Sequence, residues 1–410
     1  MPQAMKKKMK NLNKKIMILG ASILQLPAIQ KAKEMGLQVV VVDMNPAAIG
    51  FNETQIEKEI ISTIDIPKVV DAAIRHKIDG IITLASDMPM RTVAAVAKEM
   101  GIVGINEDTA IKATNKACMR EALKKNNVPV PKFYKVSNRT EYVFAVSKFD
   151  SAFIVKPADN SGSRGIVKVD DLSDHNFISN AYDYAKKSSR NGDVVVEEYM
   201  KGPEVSVETL TLNGECHVIQ ITDKITTGSP HFVEMGHTQP SRLRDDIKRK
   251  IADVAIRANK AVGITNGPSH TEIIVTNDGP KIVELGARLG GDCITTHLVP
   301  LSTGIDMVEN SIKIALGEPI DIHAKYSKGS AIRYLSCPKG KIKSITGIEE
   351  ARQMDGIRQV SIVHGMGSVV GEIESSTDRV GFIVAQGDTA SDAAIKCEEA
   401  CSKIKFSIED

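Results

Sequence analysis

Residues 270–291 read HTEIIVTNDGPKIVELGARLGG, and this stretch gives the most specific indication of the fold. Two apolar runs, residues 272–276 and 281–285, flank the turn signal Asn-Asp-Gly-Pro at 277–280, so the pattern predicts a β-hairpin. The outer ends of an antiparallel pair meet. Glu272 and Glu284 are therefore expected to project close to each other, with Arg288 just beyond the second strand.

Two carboxylates placed side by side repel each other unless a cation lies between them, and Mg²⁺ prefers oxygen ligands of this kind. The hairpin is therefore either half of a metal site that serves a phosphate ligand or an ordinary hairpin with two surface glutamates. The remaining sequence decides between these interpretations by the presence or absence of a nucleotide site.

Length and composition limit the number of domains and the classes of function that this chain can have. A chain of 410 residues is long enough for about two to four domains. A formal net charge of +2, 4% aromatic residues and no tryptophan argue against a nucleic-acid binder. The longest apolar runs, such as residues 39–42, are too short to span a membrane, so we expect a cytoplasmic protein. The six cysteines form no Cys-x-x-Cys pair, which indicates neither a zinc site nor a disulfide framework.

The first half of the chain has two parts. Residues 1–14 are rich in lysine and are expected to be a disordered basic tail. Residues 15–110 alternate strand and helix patterns, which predicts a parallel sheet in a Rossmann-like domain. The expected strands are 15–19, 38–43, 79–84 and 101–104, and the expected helices are 28–35, 65–76 and 92–100. The first turn, from Gly20, lacks the three-glycine dinucleotide fingerprint, so a scaffold is favoured over an NAD site although Asp43 ends the second strand.

Beyond residue 110 several features suit a phosphate ligand. Lys116 lies in the first turn of a predicted helix, where the helix dipole opposes a cation unless a phosphate is nearby, although a solvated lysine is the simpler interpretation. Lys156 ends a predicted strand at 152–157 and precedes the glycine- and serine-rich loop 158–165, whose backbone N–H groups could cradle phosphates. Predicted strands at 193–200 and 204–211 follow, and Glu204 could contact a ribose.

Four motifs in this order resemble those of the ATP-grasp superfamily. They are Asn115-Lys116…Met119-Arg120 with Val-Pro-Val-Pro at 128–131, Val155-Lys-Pro157 with Ser-Gly-Ser-Arg-Gly at 161–165, Glu197-Glu-Tyr-Met-Lys-Gly-Pro-Glu204, and Glu272…Glu284-x-x-x-Arg288. Together they cover about residues 15–325. The resemblance implies an α/β chain with an α+β ATP-grasp domain at 111–325, a mobile lid at about 130–195, and a small C-terminal α/β domain at 326–410.

The resemblance also implies roles for particular residues. Lys116 and Lys156 would hold the phosphates of ATP, Glu272 and Glu284 would ligate Mg²⁺ or Mn²⁺, and Arg288 would stabilise charge on the transferred phosphoryl group. The implied ATP-binding set is Lys116, Lys156, Ser161, Gly162, Ser163, Arg164 and Gly165 of the lid side, Glu197, Glu198, Tyr199 and Met200 of the adenine hinge, and Glu204 at the ribose. The shared chemistry is activation of a carboxylate as an acyl phosphate, followed by attack of an amine.

The stretch 229–240, together with Arg-Leu-Gly-Gly-Asp at 288–292, is similar to the ATP-grasp amino-acid ligases. In those enzymes the acid and histidine that match Glu234 and His237 lie beside the amino-acid substrates, and Arg288, Gly290 and Gly291 would complete the substrate site. A polar loop with a solvated histidine is the alternative. Gly286 stands where carboxylase relatives would have an asparagine, which weakens a carboxylase assignment.

Residues 326–410 carry predicted strands at 329–335, 340–345 and 379–385 and a closing helix at 389–403, as in biotin-carboxylase-like proteins. This unit forms either part of the substrate pocket or the surface of a homodimer. The leading hypothesis is an ATP-dependent ligase that joins a small carboxylate to an amine. Its rivals are activation of bicarbonate, formate or a purine-pathway acid, and a nucleotide-binding subunit without turnover.

Overall fold

The computed structural model describes residues 14–160, 162 and 164–409. The N-terminal unit is a parallel four-stranded sheet in the order β3-β2-β1-β4, which confirms the predicted strand–helix alternation. Its strands are β1 (Lys15–Leu19), β2 (Gln38–Val42), β3 (Glu57–Glu59) and β4 (Gly80–Ile82). Its helices are α1 (Leu26–Glu34), α2 (Ile66–His76) and α3 (Pro89–Met100).

Two details of this unit differ from expectation. The strand predicted at 101–104 is wrong, because Gly101 ends α3 in the left-handed conformation and the following residues are irregular. Strand β3 was not predicted because its sequence, Glu-Lys-Glu, has no apolar residue. The strand lies at the edge of the sheet, where polar residues are tolerated. The central strands are easier to predict, since residues 16–19 are fully buried under helices on both faces.

The basic tail predicted at 1–14 lies outside the described residues except for Lys14. For Lys14 the prediction of disorder is wrong, because its Nζ lies 2.9 Å from Glu318 Oε1 and also donates to the carbonyl of Leu316. This contact joins the start of the N-terminal sheet to the end of a later helix. None of the described helices combines the length and the apolar character needed to cross a membrane.

Two helices with asparagine caps connect this sheet to the rest of the chain. Helix α4 (Glu107–Thr114) begins after Asn106, and α5 (Lys116–Lys125) begins after Asn115. Each asparagine side chain accepts a backbone N–H of the first turn, which compensates the unpaired donors at a helix start. The cap at Asn115 fixes Lys116 at the first position of α5, which agrees with its predicted place in a first helical turn.

An antiparallel sheet in the order β5-β8-β6-β7 forms the segment predicted as a lid. Its strands are β5 (Phe133–Val136), β6 (Phe153–Pro157), β7 (Val167–Val169) and β8 (Val194–Glu198), and its helices are α6 (Arg139–Val146) and α7 (His175–Ser188). The two helices bury apolar side chains against the sheet, so this segment has a core of its own. Lys156 and Glu197 occupy neighbouring strands of this sheet.

A continuous eight-stranded sheet in the order β13-β12-β9-β10-β11-β14-β18-β16 forms the centre of the molecule. Its first part contains β9 (Glu204–Leu212), β10 (Glu215–Thr226), β11 (Glu234–Gln239), β12 (Gly267–Thr276) and β13 (Gly279–Gly286), backed by α8 (Asp245–Val262). The predicted hairpin is confirmed as β12 and β13, and Glu272 is the cross-strand partner of Glu284. A π-helical turn, Ile294–Leu298, then leads into α9 (Val299–Thr303) and α10 (Met307–Ala315).

The C-terminal residues continue the same sheet. Strands β14 (Gly329–Tyr334), β16 (Ile357–Ile362) and β18 (Gly381–Gly387) extend the sheet beyond β11. One sheet therefore contains strands from both sides of the boundary predicted at 325/326. A second sheet joins β15 (Gly340–Thr346), β17 (Val369–Val370) and β19 (Lys405–Ile408). Helices α11 (Ile348–Gln353) and α12 (Ala390–Lys403) complete the unit, and Thr389 caps α12.

Candidate active site

A cavity of about 350 Å³ lies where the lid sheet, the eight-stranded sheet and the loop after β4 meet. The predicted site residues that line it are Lys116, Lys156, Gly162, Arg164, Glu197, Glu198, Tyr199, Met200, Glu204, Glu234, His237, Glu272, Glu284, Arg288 and Gly291. Ser161 and Ser163 lie outside the described residues. The structure thus brings most of the predicted residues, which are spread over more than 170 positions of the chain, to one cavity.

Gly165 and Gly290 do not line the cavity but allow close packing behind it. A Cβ on Gly290 would lie 2.7 Å from Nδ1 of His270, so only glycine lets this ring pass. Gly165 has φ +81°, and a Cβ there would lie 2.5 Å from Cβ of Ser188. Gly162 also has positive φ, but no heavy atom lies within 4 Å of where its Cβ would be.

Two lysines mark one end of the cavity. Lys116 Nζ donates to the carbonyl of Asn160 at 2.7 Å and lies 3.1 Å from Oε1 of Glu284. Lys156 Nζ lies 2.6 Å from Oε2 of Glu197. Both lysine side chains are less than 10% exposed, so their charges act across a cavity wall with little competition from water.

A buried arginine supports this lysine pair. Arg120 is fully buried, and it donates to both carboxylate oxygens of Glu197 at 2.7 and 3.1 Å and to the carbonyl of Val283 at 2.7 Å. Burial alone would raise the pKa of Glu197, but Arg120 and Lys156 together lower it to about 2. Burial lowers the pKa of Lys156, and Glu197 opposes that effect. The three side chains therefore connect α5, the lid sheet and the strand that carries Glu284.

The predicted adenine hinge is anchored by its backbone. The N–H of Glu198 donates to the carbonyl of Lys132, and the N–H of Tyr199 donates to that of Ala152. The ring of Tyr199 lies under Lys168 Nζ, which is 4.2 Å from its centroid. Residues 197–200 line the cavity, but their role toward adenine stays a prediction.

The predicted metal pair is compensated by lysines. Glu284 pairs with Lys116, as described, and Oε1 of Glu272 lies 3.1 Å from Nζ of Lys224 and 3.4 Å from Nε2 of His270. Burial alone would lower the pKa of His270, but Glu208, 2.5 Å from Nδ1, raises it to about 9. His270 is therefore positively charged at neutral pH and adds to the cations that face Glu272.

Lys224 lies in a nest of three carboxylates. Its Nζ is 2.6 Å from Glu204, 3.1 Å from Glu272 and 3.5 Å from Glu234, and its side chain is only 4% exposed. Burial alone would lower the pKa of Lys224, but these three acids raise it well above its ordinary value. Lys224 thus connects residues predicted for the ribose, the metal and the substrate.

The other end of the cavity contains His237 and Asp292. Nε2 of His237 lies 3.3 Å from Oδ2 of Asp292, while Nδ1 is buried without a hydrogen-bond partner among the described residues. Arg379, from the C-terminal residues, donates to both oxygens of Asp292 at 2.8 Å and to the carbonyl of Glu234 at 3.1 Å. Burial alone would raise the pKa of Asp292, but Arg379 and His237 hold it well below its usual range. Ser376 lines the cavity as well, so C-terminal residues form part of its wall.

Arg288 lies between these two ends. Its Nε donates to Oδ1 of Asp87 at 2.8 Å, and Asp87 belongs to the loop after β4. Burial would lower the pKa of Arg288, but Asp87 and the nearby glutamates raise it. The guanidinium therefore stays charged beside the predicted metal pair.

The prediction from the sequence assigned no role to several residues that shape this cavity: Asp87, Arg120, Glu208, Lys224, His270, Asp292 and Arg379. Lys224, a charged residue inside a strand, was a usable signal. The structure makes it the cross-strand partner of His237. Arg120 was part of a quoted motif but had no assigned role.

Comparison with known proteins finds two matching family models and several related ligases. Residues 149–296 match the family described as ATP-grasp domain, and residues 333–409 match L-amino acid ligase C-terminal domain 2. The chain is 29% identical to the L-arginine-specific L-amino acid ligase of Bacillus subtilis over 68% of each protein. It is 24% identical to the phosphoribosylamine–glycine ligase of Methanocaldococcus jannaschii over 95% of this chain and 94% of that protein.

The crystal structure of an L-amino acid ligase from Bacillus licheniformis superimposes with a TM-score of 0.83 at 22% identity, covering 97% of this chain and 99% of that chain. At this identity the likeness shows the fold. It confirms the predicted fold class, an α/β chain built around an ATP-grasp domain.

Proposed function

We propose that this chain, which matches an ATP-grasp domain and L-amino acid ligase C-terminal domain 2, joins the carboxylate of an amino acid or similar acid to an amine. In the proposed reaction a carboxylate oxygen attacks the γ-phosphorus of ATP and ADP leaves, which forms an acyl phosphate. The amine nitrogen then attacks the acyl carbon, phosphate leaves, and the nitrogen loses a proton. The products are an amide or peptide, ADP and phosphate.

The observation that carries this proposal is the convergence of three sets of groups on one cavity. Lys116, Lys156 and Arg288 supply the positive charges that a triphosphate and its transferred phosphoryl group need. Glu272 and Glu284 face the same space. Glu234 and His237 line the same cavity and belong to β11, the strand that pairs with the C-terminal strand β14.

The carboxylate pair fits a magnesium ion. Cross-strand pairing holds Glu272 and Glu284 next to each other, and each is compensated by a lysine ammonium that a divalent cation could replace. Within the described ranges no group of three or more His, Cys, Asp or Glu suited to a metal occurs, so phosphate oxygens and water would complete the ligand set. When bound, magnesium would neutralise charge on the phosphates.

The chain's own residues would then divide the work. Lys116 and Lys156 bind phosphate oxygens, and Gly162 and Arg164 from the loop before β7 line the same cavity. Arg288 holds charge that grows on the transferred phosphoryl group. At the other end, the Glu234 carboxylate binds a substrate ammonium, and His237, which lines the cavity beside Asp292, contacts the substrate.

Phosphate release measured with ATP, Mg²⁺ and pairs of amino acids tests this function. We expect release that depends on both substrates and a product whose mass equals their sum less one water. Glu284→Gln should abolish release, whereas Asp355→Ala, which removes an exposed aspartate paired with Lys396, should leave it unchanged. Folded protein that binds ATP but releases no phosphate with any acid and amine would refute the proposal and favour a nucleotide-binding subunit without turnover.

A second candidate is supported by the likeness to a phosphoribosylamine–glycine ligase over nearly the whole chain. Here the carboxylate would be glycine and the amine would carry a sugar phosphate. Turnover with glycine that requires phosphoribosylamine, and not with amino-acid pairs, would select this candidate. Bicarbonate-dependent turnover would instead indicate activation of bicarbonate, as in carboxylases.

A further inference from the structure

The loop after β4 brings an aspartate from the N-terminal sheet into the cavity. Residue 84 forms a parallel bridge with residue 289, and the side-chain amide of Gln25 donates to the carbonyl of Leu84 at 2.8 Å. Ala85 has positive φ, and helix α3 begins at Pro89. The four residues between the bridge and the helix are thus held at both ends, which fixes where Asp87 lies.

Asp87 contacts Arg288 across 201 positions of sequence. Its Oδ1 accepts the Nε–H of Arg288 at 2.8 Å, and the two side chains are 12% and 14% exposed. The guanidinium has five N–H donors in a fixed plane. Nη1 also donates to the carbonyl of Leu289 at 3.3 Å. Together with the contact at Nε, this bond fixes the orientation of that plane and still leaves donors on the two terminal nitrogens.

The backbone of Gly286 makes room for this contact. A Cβ at position 286 would lie 2.8 Å from Oδ1 of Asp87 and 3.2 Å from Nε of Arg288. Its nearest neighbour is the end of a side chain, so a methyl group there would displace the Asp87 carboxylate rather than the β13 backbone. A side chain at 286 and the aspartate at 87 thus compete for one space.

We propose that Asp87 is a positioning residue that orients the Arg288 guanidinium toward the reacting phosphoryl group, and that Gly286 is the opening through which it reaches. The N-terminal sheet therefore completes the active site with a side chain. This inference rests on the proposed function for its kinetic consequence but not for the contact itself.

The kinetic test compares substitutions on the two sides of the contact. Asp87→Ala should lower kcat by about 10- to 100-fold with less than about a threefold change in KM for ATP, because a misoriented group costs rate more than ground-state binding. Asp87→Asn keeps an acceptor oxygen and should recover part of the rate. Asp355→Ala is the matched control. A rise in KM for the acid or amine with unchanged kcat would overturn the proposal, since Asp87 would then bind substrate directly.

A combined substitution separates positioning from general damage. Gly286→Ala alone should reproduce the loss seen in Asp87→Ala, and the double variant should be no slower than either single variant, because both act on one contact. Gly371→Ala, at a glycine with no atom within 4 Å of its Cβ position, is the control. Losses that multiply, or a Gly286→Ala enzyme with normal kcat, would refute the shared-space argument.

Thermal unfolding tests the same contact without any turnover. Gly286→Ala should lower Tm in the native background by more than it does in the Asp87→Ala background. Equal decreases would overturn the proposed competition for space. If the unmodified protein shows no ligase activity but this difference in Tm appears, the contact stands while the proposed function fails.

Discussion

Replacing Lys224 by methionine keeps the side-chain length but removes the charge from the centre of three carboxylates. Glu204, Glu234 and Glu272 lie within 3.5 Å of Lys224 Nζ, and the lysine side chain is 4% exposed. The variant therefore leaves three half-buried carboxylates without their shared, buried cation. Loss of one partner from a buried ion pair costs about 3–5 kcal/mol. We expect a loss of stability of this size.

The size of the effect translates into a measurable shift in melting temperature. Unfolding entropy is about 2.1 cal/mol/K per residue, so for 410 residues the slope is about 0.9 kcal/mol/K and the expected decrease in Tm is about 3–6 °C. Lys98→Met is the matched control, because Lys98 pairs with Glu107 at the surface and is 71% exposed. Its Tm should change by less than about 1 °C.

Magnesium provides a second measurement for the same variant. With Lys224 absent, Glu272 loses one of the cations it contacts, so an added divalent cation should bind more favourably and restore part of the lost stability. Calorimetry with and without Mg²⁺ should show a larger rise in Tm for Lys224→Met than for the unmodified protein. Equal rises, or a variant that melts like Lys98→Met, would refute the argument that Lys224 compensates these carboxylates.

Three further predictions concern other residues of the cavity. Glu284→Gln should leave Tm within about 2 °C but abolish turnover, because it removes one charge of the proposed metal pair; normal phosphate release would contradict that role. Arg288→Ala should lower kcat more than ATP affinity, which single-turnover kinetics and nucleotide titration can separate; equal losses would indicate ground-state binding. Glu197 has a pKa of about 2 against an ordinary value of 4.5, so its stabilising contribution of about 3 kcal/mol is present above pH 4.5 and is lost as pH falls toward 2. Urea unfolding between pH 5 and 3 should therefore show a steeper loss for the unmodified protein than for Glu197→Gln.

Local signals were enough to predict the hairpin and its register. The turn at 277–280 fixed which residues face each other, and the cross-strand pairing of Glu272 with Glu284 followed from it. The same holds for Lys116 and Lys156, since a capped helix start and a strand end define their positions. Features that depend on a few neighbouring residues and on the period of a strand or helix are available from the sequence.

Partners from distant strands were not available. Asp87 and Arg288 are 201 positions apart, and the three acids around Lys224 come from three different strands. The Asp87–Arg288 contact depends on how the parallel sheet sits against the eight-stranded sheet, and the Lys224 contacts depend on the strand order within the eight-stranded sheet. No local period encodes either arrangement. A strand was also wrongly predicted at 101–104, because the half-buried pair Ile102 and Val103 between two glycines resembles a short strand.

The pairing of β11 with β14 makes the C-terminal unit inseparable from the strand that carries the proposed substrate residues. Residues Gly236 to Gln239 hydrogen-bond residues 330–333, next to Glu234 and including His237. A chain cut before β14 would leave β11 as an unpaired edge with free backbone donors and acceptors, which invites aggregation. An exchange of C-terminal units between related ligases would therefore have to preserve this strand pairing, whatever else the exchanged unit carries.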